Sequence, residues 1–162
     1  MNPPIIERST PKTRTSIATL VISASALVGI AVNEGYVGQT YKDVVGVPTI
    51  GFGETQGVKP GQTTTPPQAL RKLLESADKN AAGIKKCITV PISQGEYDAY
   101  LSLSYNIGVG AFCGSGLVKK LNAQDYTGAC QEILKWNRAG GVVQSGLTKR
   151  RYEEFNTCMG GA

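Results

Sequence analysis

The order of signals along this 162-residue chain predicts an α+β fold, with a small sheet near the N-terminus and a mainly helical remainder. Three observations carry that expectation. The stretch NEGYVGQTYKDVVGVPTIGFGET, Asn33 to Thr55, mixes glycines, a proline and short β-branched pieces, the composition of tight turns and a small antiparallel sheet. Two capping boxes, Thr65-Pro66-Pro67-Gln68 and Ser93-Gln94-Gly95-Glu96, each open an apolar periodic run. No internal repeat or long low-complexity run interrupts the pattern, and the length is that of one domain.

Taken in order, Ser16 to Val32, SIATLVISASALVGIAV, is uncharged throughout and reads as one helix of about 17 residues, roughly 26 Å long. The sheet residues follow, then a loop from Gln56 to Thr65 rich in Gly, Thr and Gln. The helix opened at Thr65 continues through QALRKLLESADKNAAGIKKC, with Leu70, Leu73, Leu74, Ala77 and Ala81 on one stripe. The helix opened at Ser93 presents Tyr97, Tyr100, Leu101, Ser104 and Tyr105 on a shared face and stops at Gly108. A glycine-rich loop leads to a short helix, Leu117 to Leu121, and Asp125 caps YTGACQEILKW. SGLTKRRYEEFNTC forms the last helix, its charge pairs read as a solvated face.

Formal net charge is +5, but the cations form no dense run and are not interleaved with aromatics, so nucleic acid is not an expected partner. Histidine is absent, which removes the commonest zinc ligand and the usual neutral-pH base. No metal and no cofactor are expected, and acid–base chemistry falls to carboxylates, lysines or tyrosines. Four cysteines, Cys87, Cys113, Cys130 and Cys158, lie far apart with no C-x-x-C, which suits two disulfides in an oxidising compartment with three possible connectivities. Pairing of sequence neighbours, Cys87 with Cys113 and Cys130 with Cys158, closes two loops of moderate length.

The basic flank before Ser16, with Arg8, Lys12 and Arg14 against Glu7, implies an N-terminus that stays in the cytoplasm while the rest crosses outward. The apolar run is only marginally fit to enter a bilayer. Its Leu, Ile and Val positions are together worth about −2.4 to −4.8 kcal/mol on the insertion scale, and the Ala, Ser, Thr and Gly between them add little. It competes as a cleavable signal peptide, with Ala24-Ser25-Ala26 as an A-x-A site, as a permanent anchor, or as a core helix.

Glu34 stands at the end of that helix; eight residues intervene before Asp43 and five more before Thr49. A hairpin folding back beside the helix end brings all three side chains around one cleft. That grouping suits glycoside hydrolysis: one carboxyl protonates the leaving oxygen, a second stabilises positive charge or activates water, and a hydroxyl holds the water. The apolar helix and Tyr36 are expected to wall the acid in. Each residue also has a plainer reading: a solvated acid, a turn former and a β-branched strand residue.

NEGYVGQTYKDVVGVPTIGFGE resembles the active-site segment of the phage lysozymes, glycoside hydrolase family 24, to which the T-even phage lysozyme belongs. The family's E-G pair, its Y-K-D turn and its T-I-G-x-G run fall on Glu34, Asp43 and Thr49. SLSYNIGVGAFCGSGLVKKLN, GACQEILKWNRAGG and GLTKRRYEEF are similar to the family's later helices, so the likeness spans about Ala31 to Cys158. It implies a lysozyme-like fold, in which a long helix joins the small sheet region to the helical lobe. It implies a muramidase cleaving the β-1,4 bond between N-acetylmuramic acid and N-acetylglucosamine in peptidoglycan. Glu34 is then the general acid, Asp43 the second carboxylate and Thr49 the water-orienting hydroxyl, with Asn106 and Arg151 lining or supporting the cleft. Where the family often has histidine after T-I-G-x-G, this chain has Glu54, which implies loss of a local brace.

The N-terminus is also similar to that of the signal-arrest-release endolysins of the phage 21 type. That likeness implies a basic flank at 1–15, a weakly apolar segment at 16–32 that holds the enzyme at the host inner membrane, and a catalytic domain at 33–162. It further implies release, as a monomer, to the periplasm of a Gram-negative host and lysis of the cell. Caging by a cysteine is ruled out, because residues 1–86 contain none. A lytic transglycosylase and a non-catalytic exported peptidoglycan-binding or inhibitor domain are the competing readings.

Overall fold

The structure, a computed structural model, describes residues 12–43 and 46–161; Glu7 and Arg8 of the basic flank lie outside them. Seven helices and two hairpins occupy the described residues. They are α1 (Ala24–Glu34), β1 (Val37–Lys42), β2 (Pro48–Gly51), α2 (Pro66–Ile84), α3 (Gln94–Ile107), α4 (Val109–Cys113), α5 (Gly116–Asn122), α6 (Tyr126–Ile133), β3 (Arg138–Ala139), β4 (Val142–Val143) and α7 (Ser145–Met159). The α+β expectation holds.

The run expected as one helix is broken in two. A 3-10 turn at Ile17–Thr19 is followed by extended chain, and α1 begins only at Ala24. The break follows from where the backbone finds partners. The Leu20 carbonyl accepts from Lys85 Nζ at 2.7 Å and the Val21 carbonyl from the Gln94 amide at 2.8 Å. The Ser23 N–H donates to Asp98 Oδ1 at 3.1 Å, while its hydroxyl caps α1 by accepting the Ala26 N–H at 3.1 Å. With their polar groups satisfied from α3 and the end of α2, residues 20–23 have no need of helical hydrogen bonds. No helix among the described residues is long and apolar enough to cross a membrane.

β1 and β2 pair antiparallel, Tyr41 opposite Thr49, with an irregularity between Val37 and Tyr41. The chain then enters α2, where the Gln68 side chain accepts the Thr65 N–H at 3.0 Å. Its buried stripe is Ala69, Leu73, Ala77, Ala81 and Ile84; Leu70 and Leu74, expected on that stripe, are exposed. The correction is one of spacing. The buried residues follow an i, i+4 row through Ala69, Leu73, Ala77 and Ala81, and Leu70 and Leu74 each stand one position, about 100° of helix rotation, off it. At Gly83 a Cβ would stand 2.7 Å from Val109 of α4.

α3 is the central helix, buried on nearly every side, and it opens with both halves of a capping box: Ser93 Oγ accepts from the Glu96 N–H and Glu96 Oε2 from the Ser93 N–H at 2.8 Å. α7 packs along it, and α5 and α6 pack against each other. The main core, including Ile84, Ile92, Tyr97, Tyr100, Leu103, Phe112 and Ile133, also takes in Ile17 and Leu20 from the N-terminal run. A second, smaller cluster joins Ile30 and Ala31 of α1 to Leu73 of α2, with Phe52 and Tyr105 against it. That cluster carries the end of α1, and hence Glu34.

Part of the expected glycine-rich loop after Gly108 is helical, as α4. The β3–β4 hairpin was not expected; Gly140 (φ +57°) and Gly141 (φ +79°) supply its turn. The cysteines pair as neighbours, Cys87 with Cys113 and Cys130 with Cys158, each pair with Cα atoms 5.7 Å apart. Closing loops of 26 and 28 residues is worth about 3–4 kcal/mol each on the chain-entropy account.

Candidate active site

Glu34 is the last residue of α1, and Gly35 (φ +71°) turns the chain into β1. Glu34 Oε2 lies 3.3 Å from where a Cβ on Gly53 would stand, so the tight turn after β2 comes directly against the acid. Gly53 itself has φ +79°, a conformation that glycine adopts without strain. The helix end and the turn after β2 therefore meet. The expected apolar wall is a different matter. The Glu34 side chain is 25% exposed and its charged neighbour is Arg150, whose Nη1 donates to Oε1 at 3.4 Å.

Asp43 follows β1, and Oδ1 accepts the Val47 N–H at 2.8 Å while its own N–H donates to the Val47 carbonyl at 3.0 Å. Its carboxylate thus fixes the bend of the hairpin. Thr49 lies in β2, 3% exposed, its hydroxyl donating to the Val47 carbonyl at 3.0 Å. Asp43 and Thr49 are consequently tied to the same residue, Val47.

Glu54 supplies the brace that its replacement of histidine called into question. Oε1 accepts from the Thr55 and Gln56 N–H groups at 2.9 and 2.7 Å, and Oε2 from the Ser76 hydroxyl of α2 at 3.0 Å. With two backbone hydrogen bonds to Ile50, the residue pins the hairpin to α2. Tyr105 packs against the cluster of Ile30, Ala31 and Leu73. Its hydroxyl is pushed up to about 12, first by burial and then by the negative fields of Glu34 and Glu54.

Of the charges of α7 expected on a solvated face, Lys149 and Glu153 are exposed, but Arg150, Arg151 and Glu154 are inside. One carboxylate serves both arginines. Glu154 Oε1 accepts from Arg150 Nε at 3.3 Å, Arg151 Nη2 at 2.8 Å and the Ser102 hydroxyl at 2.7 Å. Arg151 Nε also stands 2.7 Å from Oε2, too poorly aligned for a hydrogen bond but a close charge contact. From this hub Arg150 reaches Glu34, and Arg151 Nη1 reaches Asn106 Oδ1 at 2.9 Å and the Trp136 carbonyl at 3.3 Å. Burial pushes Glu154 up against the opposing pull of Arg151. Asn106 and Arg151 are thus tied to each other, Arg151 buried and Asn106 exposed. Arg150 and Glu154 were missed from the sequence. Their R-x-x-x-E spacing was visible, but whether that face is buried depends on α3.

Residues 31–154 match the family model described as phage lysozyme. The chain belongs to the phage lysozyme family. It is accordingly a glycosidase of the lysozyme type, and peptidoglycan is the substrate that membership implies. The lysozyme is 35% identical over 146 residues to a SAR-endolysin of bacteriophage PS119, covering 88% of this chain and 87% of that one. It is 38% identical over 107 residues to the endolysin of Bacillus phage B103, 65% of this chain but only 41% of that longer protein. Among structures it is similar to the endolysin from Escherichia coli O157:H7 phage FAHEc1, with a TM-score of 0.80 at 34% identity, covering 87% of this chain and 94% of that one.

Proposed function

We propose that this lysozyme hydrolyses the β-1,4 bond between N-acetylmuramic acid and N-acetylglucosamine, with Glu34 as general acid, Asp43 as second carboxylate and Thr49 as the residue that orients water. The observation that carries the reading is the approach of the α1 end to the hairpin, with Glu34 Oε2 against Gly53. Glu34 gives its proton to the leaving oxygen as the glycosidic bond breaks. Asp43 sets a negative charge against the positive charge that develops on the sugar carbon. Thr49 has its hydroxyl proton committed to Val47, so its oxygen is left to accept from water. Water then adds to the sugar carbon and yields a proton to the carboxylate pair. Digested peptidoglycan is expected to show reducing muramic acid ends by mass spectrometry. Anhydromuramic ends would instead make the enzyme a lytic transglycosylase, and no cleavage at all would favour a binding domain.

Residues 1–15 stay in the cytoplasm and residues 16–32 hold the enzyme at the host inner membrane until it is released, as a monomer, to the periplasm, where residues 33–162 act as the catalytic domain. The uncharged run, the basic residues before it and the SAR-endolysin relative support this reading. Fractionation before and after addition of an uncoupler tests it, with the mass measured in each fraction. Full-length protein is expected to pass from membrane to soluble fraction. A soluble product starting near residue 27 would instead identify a cleaved signal peptide.

A further inference from the structure

Glu96 is 0% exposed, an unusual place for the glutamate of a capping box, which ordinarily faces water. A buried carboxylate needs a cation, and here both cations come from the residues before the uncharged run. Arg14 Nε donates to Glu96 Oε1 and Oε2 at 3.2 and 3.1 Å, and Nη2 to Oε1 at 2.7 Å. Its guanidinium also lies 3.6 Å over the centre of the Tyr126 ring. Lys12 Nζ stands 3.9 Å from Oε1 and donates to the Cys158 carbonyl at the end of α7. The two cations thus clasp the start of α3 and the end of α7, where the helices approach so closely that a Cβ on Gly95 would stand 2.7 Å from the Thr157 carbonyl.

We propose that the closure of Arg14 and Lys12 on Glu96 is the latch that seats residues 12–34 on the helical lobe, which makes Arg14 a positioning residue for Glu34. The contacts run unbroken from one to the other. Thr15 next to the latch pairs with Ile92 by backbone hydrogen bonds of 3.0 and 2.9 Å. Ile17 and Leu20 then enter the core, and Lys85, Gln94 and Asp98 hold residues 20–23. From Ser23 the chain starts α1, whose Ile30 is fully buried and whose last residue is Glu34. The regulatory consequence rests on the release reading given above. While residues 16–32 lie in a bilayer with the flank on the cytoplasmic face, Arg14 and Lys12 cannot reach Glu96. The latch closes only once the flank itself has crossed.

The purified full-length protein with both disulfides intact is the material for the test, so that no membrane is involved. Hydrogen exchange of the amides of residues 15–34, and kcat and KM on purified peptidoglycan, are measured for the parent, Arg14→Gln, Arg14→Lys, Glu96→Gln and the Arg14→Gln/Glu96→Gln double variant. Glutamine at 96 keeps an acceptor for the Ser93 N–H, and Arg14→Gln carries the test alone if Glu96→Gln does not fold. Arg14→Gln is expected to speed exchange about tenfold and to lower kcat about fivefold with little change in KM. Arg14→Lys recovers most of both, and the double variant is no worse than the worse single one. Parental exchange and kcat in Arg14→Gln, or additive losses in the double variant, would overturn the latch. Failure to find the parent in the membrane fraction of cells removes only the regulatory consequence and leaves the exchange result standing.

Discussion

Glu34→Gln is expected to abolish clearing of outer-membrane-permeabilised Gram-negative cells while leaving the fold in place. A glutamine has no proton to give the leaving oxygen, and general acid catalysis is worth about 10²–10⁴ in rate. The loss in kcat should therefore be roughly a thousandfold, with melting temperature nearly unchanged. Stability is spared because the 3.4 Å contact with Arg150 is long, the side chain is partly open to water, and glutamine still offers that arginine an acceptor. Clearing at the parental rate would sink the assignment of Glu34.

Glu154→Gln is expected to produce the largest loss of stability and to damage the reaction as well. The substitution keeps shape and one acceptor but leaves the Arg150 and Arg151 guanidiniums facing each other inside the protein with their shared anion gone. Removing one member of such a buried group costs about 3–5 kcal/mol, a drop in melting temperature of roughly 10 °C for a chain of this size. Arg150 would lose the contact that aims it at Glu34, so kcat should fall even at temperatures where the variant is fully folded. A variant that melts within about 1 °C of the parent would show that the two arginines are held by Ser102, Asn106 and Trp136 instead.

What could be read in advance was what short spans of sequence determine. The capping boxes at Thr65 and Ser93 and the Asp125 cap are settled within four residues, and the structure has them. The Glu34, Asp43 and Thr49 candidates lie within one helix end and one hairpin, and the ties of Asp43 and Thr49 to Val47 are likewise local. Arg150 is different, because its contact with Glu34 spans 116 positions. The KRRYEE run shows opposite charges at helical spacing whether that face meets water or α3, and only the tertiary packing decides. The same ambiguity affected SIATLVISASALVGIAV. Apolar composition signals a preference for leaving water but does not say for what, and Ile17, Leu20 and Ile30 here enter a protein core. The hairpin at 138–143 was recoverable, since Gly140-Gly141 between short strands is a turn signal.

Both disulfides begin at or beyond Cys87. Every covalent cross-link therefore lies in the helical half of the molecule, and none reaches the hairpin that carries Asp43 and Thr49. That hairpin is joined to the rest through the chain at α1 and α2 and through reversible contacts such as Glu54 with Ser76. Widening the gap between the two halves to admit a long glycan strand would thus strain no sulfur bridge. A reductant acting on the bridges would weaken the scaffold while leaving the hydrogen-bonded register of the hairpin intact.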